Sequence, residues 1–331
     1  MTIRNDTIRH PLFIAYLDHL RSSGRVRTAH TYHSYLAKGA AWLDKKGITP
    51  ERATNADLRE YQIDLSRTTH VHTGKPLAIS TLGTAITVLK SAYQWLWEHG
   101  HLLSNPAANL IPPAKPRSLI VAKKFLSHQE AQALIDTATA LINEAIPHTT
   151  LWALAVRNRA LIALALASGR RCRGLVSLRL ADIDCDRAEL RVALEKSRTG
   201  RVLPLSNWAI NAVRQYLNGP RSYLLGTDVT SPWLFVSQRG PHLCPRGFAF
   251  ILDTLMEETM KRNPDLTELA TKRITTHSLR VSFAKLMHDH GCSIRSLNEM
   301  MLHQNLTTTA AYTPTSLADL RRALLPCHPR G

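Results

Sequence analysis

The residues best equipped for chemistry are scattered cations, several histidines and one late tyrosine. His277-Ser-Leu-Arg280 is an H-x-x-R pair, three apart and therefore on one face of a helix. A guanidinium fork suits the oxygens of a phosphate or carboxylate, and an imidazole beside it can manage a proton. With 16 histidines and 30 arginines in 331 residues, chance supplies about 1.5 such pairs, so the pattern has no weight alone. Arg171 lies in Arg170-Arg171-Cys172-Arg173, just past an apolar run and Gly169, where a solvated basic turn is the ordinary outcome. Lys196 falls at a hairpin tip, the default place for an exposed lysine. Tyr312 follows Thr307-Thr-Thr-Ala-Ala, and most single tyrosines are packing residues. Metal chemistry finds little support. His288-Asp-His290 and His99-Gly-His101 are i,i+2 pairs, which point apart on a helix and fit no common zinc spacing. Cys172, Cys185, Cys244, Cys292 and Cys327 are odd in number and contain no C-x-x-C, which reads as free thiols in a reducing compartment.

The elements that must position these groups are mostly helices. Pro11–Arg21 and Tyr32–Lys45 carry apolar residues at helical spacing, and Gly47 follows as a stop. Thr54-Asn-Ala-Asp57 is an N-cap signal for a helix to about Ser66, and Ile79–His99 is a long one-sided helix ended by Gly100. From Pro106 to Lys124 the composition changes. Four prolines (Pro106, Pro112, Pro113, Pro116) and four cations (Lys115, Arg117, Lys123, Lys124) without an acid predict an extended basic linker. Ser127-His-Gln-Glu130 is a capping box opening a helix to about Asn143. Asn158–Ser168 reads as a buried helix closed by Gly169. Glu189–Ala193 and Arg201–Leu205 read as an antiparallel pair around Lys196–Gly200. Helices resume at Asn207–Leu217, Arg246–Arg262, His277–His290, Ser293–Met301 and about Thr307–Tyr312, with a tail helix near Ser316–Leu325.

Length and charge bound the function. The chain is too long for one comfortable core, so two domains are expected. A net charge of +17 excludes acidic solvating proteins, and the composition excludes collagen-like repeats and small disulfide scaffolds. Such an excess favours a polyanionic partner, nucleic acid first and an anionic membrane surface second. The excess divides into +5 over residues 1–112, +4 over 113–124 and +8 over 125–331. The longest purely apolar run, Ala160–Ala167, is too short to span a bilayer. No signal-peptide pattern opens the chain, so a cytoplasmic protein without membrane partners is expected.

Order and context then change the weight of the isolated groups. Ser168-Gly-Arg-Arg171-Cys-Arg-Gly-Leu-Val-Ser-Leu-Arg-Leu-Ala-Asp-Ile-Asp184 resembles the first arginine motif of the tyrosine recombinase (phage integrase) family. Lys196-Ser-Arg-Thr-Gly-Arg-Val-Leu-Pro-Leu205 is similar to the family's hairpin lysine and the strand after it. Thr276-His277-Ser-Leu-Arg280 is similar to its H-x-x-R box. Met301-Leu-His303-Gln-Asn-Leu-Thr-Thr-Thr-Ala-Ala-Tyr312-Thr resembles the segment that ends in the nucleophile. The four motifs occur in the family's order, and the helical first hundred residues and basic linker match its bipartite layout. Two positions depart: Gly174 replaces an acidic residue three after the first arginine, and Leu302 replaces a glycine before the last histidine.

The resemblance implies a mainly α fold with a small antiparallel β-sheet in the C-terminal domain. It implies a helical core DNA-binding domain over 1–110, a basic linker over 111–124 and a catalytic domain over 125–331. It implies a site of Arg171, Lys196, His277, Arg280, His303 and the nucleophile Tyr312, with neither cofactor nor metal. Tyrosine conserves the phosphodiester energy as a 3′-phosphotyrosyl ester, and two arginines can clamp the non-bridging oxygens. A hairpin lysine can protonate the 5′-hydroxyl leaving group. The implied partner is double-stranded DNA with inverted half-sites, bound by a homotetramer that exchanges strands through a Holliday junction. Accessory DNA-bending proteins are a further possibility, and the implied role is integration, excision or resolution of a mobile element. The tail helix, with Leu317, Leu320 and Leu324 on one side, would pack on its own domain or on a neighbour. Two alternatives stand beside this reading: a catalytically impaired DNA-binding or architectural protein of the same fold, and a type IB-like topoisomerase.

Overall fold

In the computed structural model of the chain, residues 8–69, 74–113, 125–192, 200–226 and 230–301 are described. The chain divides into two compact units, Met1–Ile120 and Val121–Gly331. The expected elements at 307–312 and 316–325 lie outside the described residues, as does most of the expected linker.

The described part of the first unit contains four helices: α1 (Pro11–Ser22), α2 (Val26–Lys45), α3 (Asn55–Arg67) and α4 (Ile79–Glu98). Proline at the first helical position opens α1, where a missing N–H costs nothing. Thr54 and Asp57 cap α3 reciprocally, side chain to backbone in both directions. One core joins the helices through Phe13, Leu17, Leu36, Leu43, Leu58, Ile86 and Tyr93. Two of its polar atoms are matched: the Tyr93 hydroxyl donates to the Pro50 carbonyl at 3.2 Å, and the Trp42 indole donates to Asp64 at 3.0 Å. Helix α2 begins six residues before the expected Tyr32, because its first turns are polar and carry no apolar stripe.

The second unit is built around α6 (Thr150–Ser168). Packed against it are α5 (His128–Glu144), α8 (Asn207–Leu217), α9 (Pro220–Leu225) and α12 (Thr276–Asp289). By length and composition α6 is apolar enough to cross a membrane. Here it is the core helix, with Ala160 to Ala165 all buried. It starts eight residues before the expected Asn158. The early turns include Arg157, which is buried and donates to the Val236 carbonyl at 3.1 Å. Gly169 closes α6 in the left-handed region at φ 57°.

Then come the short α7 (Cys172–Val176) and three strands, β1 (Ile183–Asp184), β2 (Glu189–Val192) and β3 (Arg201–Pro204). They form an antiparallel sheet in the order β1-β2-β3, with Leu190 opposite Leu203 and Val192 opposite Arg201. Leu190, Val192 and Leu203 face the core, while Arg191 and Val202 face out. Helices α10 (Pro245–Arg262), α11 (Thr267–Thr271) and α13 (Ile294–Met301) complete the described elements. Of the three strands only β1 was not expected, being two residues long, and the short helices α7, α9 and α11 were not expected either.

Candidate active site

Arg171, His277 and Arg280 are presented by two helix beginnings. Arg171 is the N-cap residue of α7, extended at φ −64° and ψ 146°. Leu175 and Val176 anchor that short helix in the core, and Arg171 itself is exposed. On the other side, Thr275 and Ser278 cap α12 reciprocally, which fixes where its first turn starts. His277 stands in that turn and Arg280 one turn later on the same face.

Arg280 is 2% exposed, and its guanidinium is aimed by two backbone carbonyls. Nη1 donates to Gly169 at 2.6 Å, at the end of α6. Nη2 donates to Met301 at 2.7 Å, at the end of α13. The residue thus ties the helix carrying H-x-x-R to the turn carrying Arg171 and to the chain segment leading toward His303. Hydrogen bonds to a charged donor contribute about 1.5–3 kcal/mol each, enough to hold one rotamer.

His277 reports that the three groups share one electrostatic environment. Its pKa is lowered, first by burial, then by the Arg280 and Arg171 cations. At neutral pH the ring is therefore neutral, a hydrogen-bonding group and not a third cation. Cys172 lies beside them, with a hydrogen bond to Thr276 and a weak one to the Pro245 carbonyl at 3.8 Å. Burial pushes this thiol up, so it is a packing group and no nucleophile.

Several supporting contacts were not legible in the motifs. The Lys272 ammonium donates to both Glu130 oxygens, at 2.6 and 2.7 Å, with both side chains about 95% buried. Glu130 also accepts the Ser127 N–H at 2.7 Å. One turn beyond His277, the Ser282 hydroxyl accepts the Leu126 N–H at 2.8 Å and donates to the Ser278 carbonyl at 2.8 Å. These bonds tie α12 and the segment entering it to α5 and the residues that precede it. Only the capping role of Glu130 had a local signal; its partner lies 142 positions away.

Lys196, His303 and Tyr312 lie outside the described residues, Lys196 between β2 and β3 and the other two beyond α13. Among the described residues no group of three or more His, Cys, Asp or Glu is placed to hold a metal ion. The four cysteines among the described residues are free.

Comparisons with known proteins identify the family. Residues 124–317 match the model of the phage integrase family. The tyrosine recombinase XerC of Bacillus licheniformis is 30% identical, over 97% of this chain and 96% of that protein. Among solved structures, the Tn1549 transposon integrase in complex with a circular intermediate DNA aligns with a TM-score of 0.69. It is 15% identical and covers 95% of this chain and 99% of that one. The XerH site-specific recombinase bound to its difH substrate aligns at 0.65, 17% identical, over 97% and 90%. The solved structures share the fold, and the whole-length sequence match adds descent. The chain belongs to the phage integrase family, the tyrosine recombinases.

Proposed function

We propose that this chain is a site-specific DNA recombinase, cutting and rejoining strands through a 3′-phosphotyrosyl intermediate. The observation that carries the reading is the convergence of Arg171, His277 and Arg280. What supports it is that His277 lies within electrostatic reach of both guanidinium groups, so a neutral imidazole and two forked cations are available to one phosphate. The Tyr312 hydroxyl attacks the scissile phosphorus, and the P–O5′ bond breaks. The electron pair leaves on O5′, which takes a proton from the Lys196 ammonium. Arg171 and Arg280 balance the charge that grows on the non-bridging oxygens. His277 and His303 orient the phosphate and take up the proton that the Tyr312 hydroxyl loses as its oxygen bonds to phosphorus. Attack by the 5′-hydroxyl of another strand reverses the step and frees Tyr312, so no hydrolysis occurs.

On this reading residues 1–110 bind the duplex, the basic segment 111–124 follows its backbone, and 125–331 perform the cut. A homotetramer on inverted half-sites exchanges strands in pairs through a Holliday junction, with accessory bending proteins where the site requires them. The role is integration, excision or resolution of a mobile element, carried out on cytoplasmic DNA. The relatives named as Xer recombinases and as a transposon integrase support this class of reaction.

The test is a covalent adduct. The full chain is incubated with a pool of nicked duplexes of random sequence, and SDS-resistant protein–DNA complexes are captured and sequenced. An adduct at a recurring sequence, absent with Tyr312→Phe, is expected. No adduct with the parent chain, or its persistence in Tyr312→Phe, overturns the mechanism and leaves an architectural DNA-binding protein. Relaxation of supercoiled DNA by a monomer would replace it with a topoisomerase.

A further inference from the structure

Arg170 stands between the glycine that ends α6 and Arg171, and none of the steps above uses it. Its guanidinium lies directly over the α-carbon of Gly174 in α7. A Cβ at position 174 would come within 2.8 Å of Nη2, 3.4 Å of Cζ and 3.5 Å of Nε. A methyl at this position would push the guanidinium out of its present place. The Arg170 Nε is buried, with no hydrogen-bond partner among the described residues. Burial lowers its pKa, the adjacent Arg171 cation lowers it further, and Asp182 is the opposing carboxylate. A half-buried cation beside a like charge, with an N–H unmatched, destabilises the folded chain. An anion bound beside the two guanidinium groups relieves the repulsion between Arg170 and Arg171.

We propose that Arg170 is a further phosphate-binding residue of this site, acting beside Arg171 on the DNA backbone, and that Gly174 is the residue that admits it. The position that family resemblance would give to a carboxylate is here open to a guanidinium, so the local charge is reversed. The alternative is that Arg170 merely packs on α7. The two differ in what Gly174→Ala disturbs. For packing alone, the displaced guanidinium should cost some stability and leave the salt dependence of DNA binding unchanged. For phosphate binding, the added methyl evicts the guanidinium and weakens DNA binding.

The experiment measures binding of a fluorescein-labelled mixed-sequence duplex to the full chain carrying Tyr312→Phe, which prevents cleavage. Arg170→Met, Arg170→Lys, Gly174→Ala and the Arg170→Met/Gly174→Ala pair are compared with that parent. Each phosphate contact contributes about 0.9 to the slope of log affinity against log salt. Losing one contact lowers the slope by about 0.9 and weakens binding about 15-fold at 50 mM and about fourfold at 200 mM salt. Arg170→Met and Gly174→Ala should each show that change, and the pair should be no weaker than either alone. Arg170→Lys should keep the slope, because charge and reach remain. An unchanged slope in Arg170→Met, parent-like binding by Gly174→Ala, or multiplied effects in the pair overturns the proposal. The inference rests on the pocket being a DNA phosphate site. A parent chain without salt-dependent duplex binding overturns both readings, whereas a binding parent with an indifferent Arg170→Met overturns this one alone.

Discussion

Replacing Gly169 by alanine should damage the site more than the same change at any other glycine described in the second unit. The backbone there is left-handed, φ 57°, which costs a non-glycine residue about 1–2 kcal/mol. The new Cβ would also sit 2.3 Å from Cδ1 of Phe283 and 2.9 Å from Cε1 and Cγ. Phe283 is 5% exposed and packs with Ala284, Leu297 and Met301, so the ring has little room to retreat. Overpacking of this kind costs about 1–3 kcal/mol. Gly169→Ala should therefore lower stability by about 2–5 kcal/mol, a large part of a typical domain's total of about 5–15. Urea unfolding of the full chain, followed by tryptophan fluorescence, measures the shift. A Phe283→Ala background separates the two causes: there the same glycine change should cost only the left-handed term, about 1–2 kcal/mol. Because the Gly169 carbonyl holds Arg280, adduct formation should also fall at temperatures where the variant remains folded. A Gly169→Ala chain within about 0.5 kcal/mol of the parent, the range of an inconsequential surface change, would refute both the contact and its role.

Three further outcomes follow from the same geometry. Glu130→Met or Lys272→Met alone should destabilise by about 3–5 kcal/mol, because each strands a buried partner. The pair Glu130→Met/Lys272→Met should cost clearly less than their sum; additive losses in a denaturation cycle would mean that the two do not act as a pair. The His277 ring, followed by NMR, should titrate below the ordinary histidine value, and Arg280→Leu or Arg171→Leu should move it up. Since the folded pKa is depressed, the unfolded chain takes the proton first. Stability linked to His277 is thus complete above the unfolded pKa of about 6.5 and declines as pH falls below it; a midpoint above that value contradicts the assignment. Lys196→Ala should slow cleavage by about 10²–10⁴-fold, the usual range for a general acid. A substrate with a bridging sulfur at the 5′ position, whose thiolate leaves without a proton, should restore the rate, and a failure of that rescue removes Lys196 from the role.

What could be read from the chain alone was what short-range physics decides. Thr54 with Asp57 and Ser127 with Glu130 are caps closed within one turn, and both form as their spacing requires. Gly169 stops a helix because only glycine takes that backbone angle without strain. The alternation around Leu190 and Val192 specifies a strand with one buried face. The H-x-x-R spacing puts His277 and Arg280 on one face of α12 as soon as that helix forms. Where periodicity was weak, the boundaries were missed. The first turns of α6 hide a buried arginine, the first turns of α2 are polar, and β1 is too short to carry a pattern.

Tertiary structure decided everything that depends on residues far apart in the chain. Arg280 is 111 positions from the Gly169 carbonyl that aims it, and Lys272 is 142 from Glu130. No local signal marks either pair, because their energy arises only when burial strips water from both partners. Folding also gave His277 its neutral state and Arg170 its place over Gly174. Residue type and order named the chemistry this chain is built from. The reach of each charge, and the company in which it is buried, came from packing, since electrostatics is set by distance through space and by exclusion of solvent.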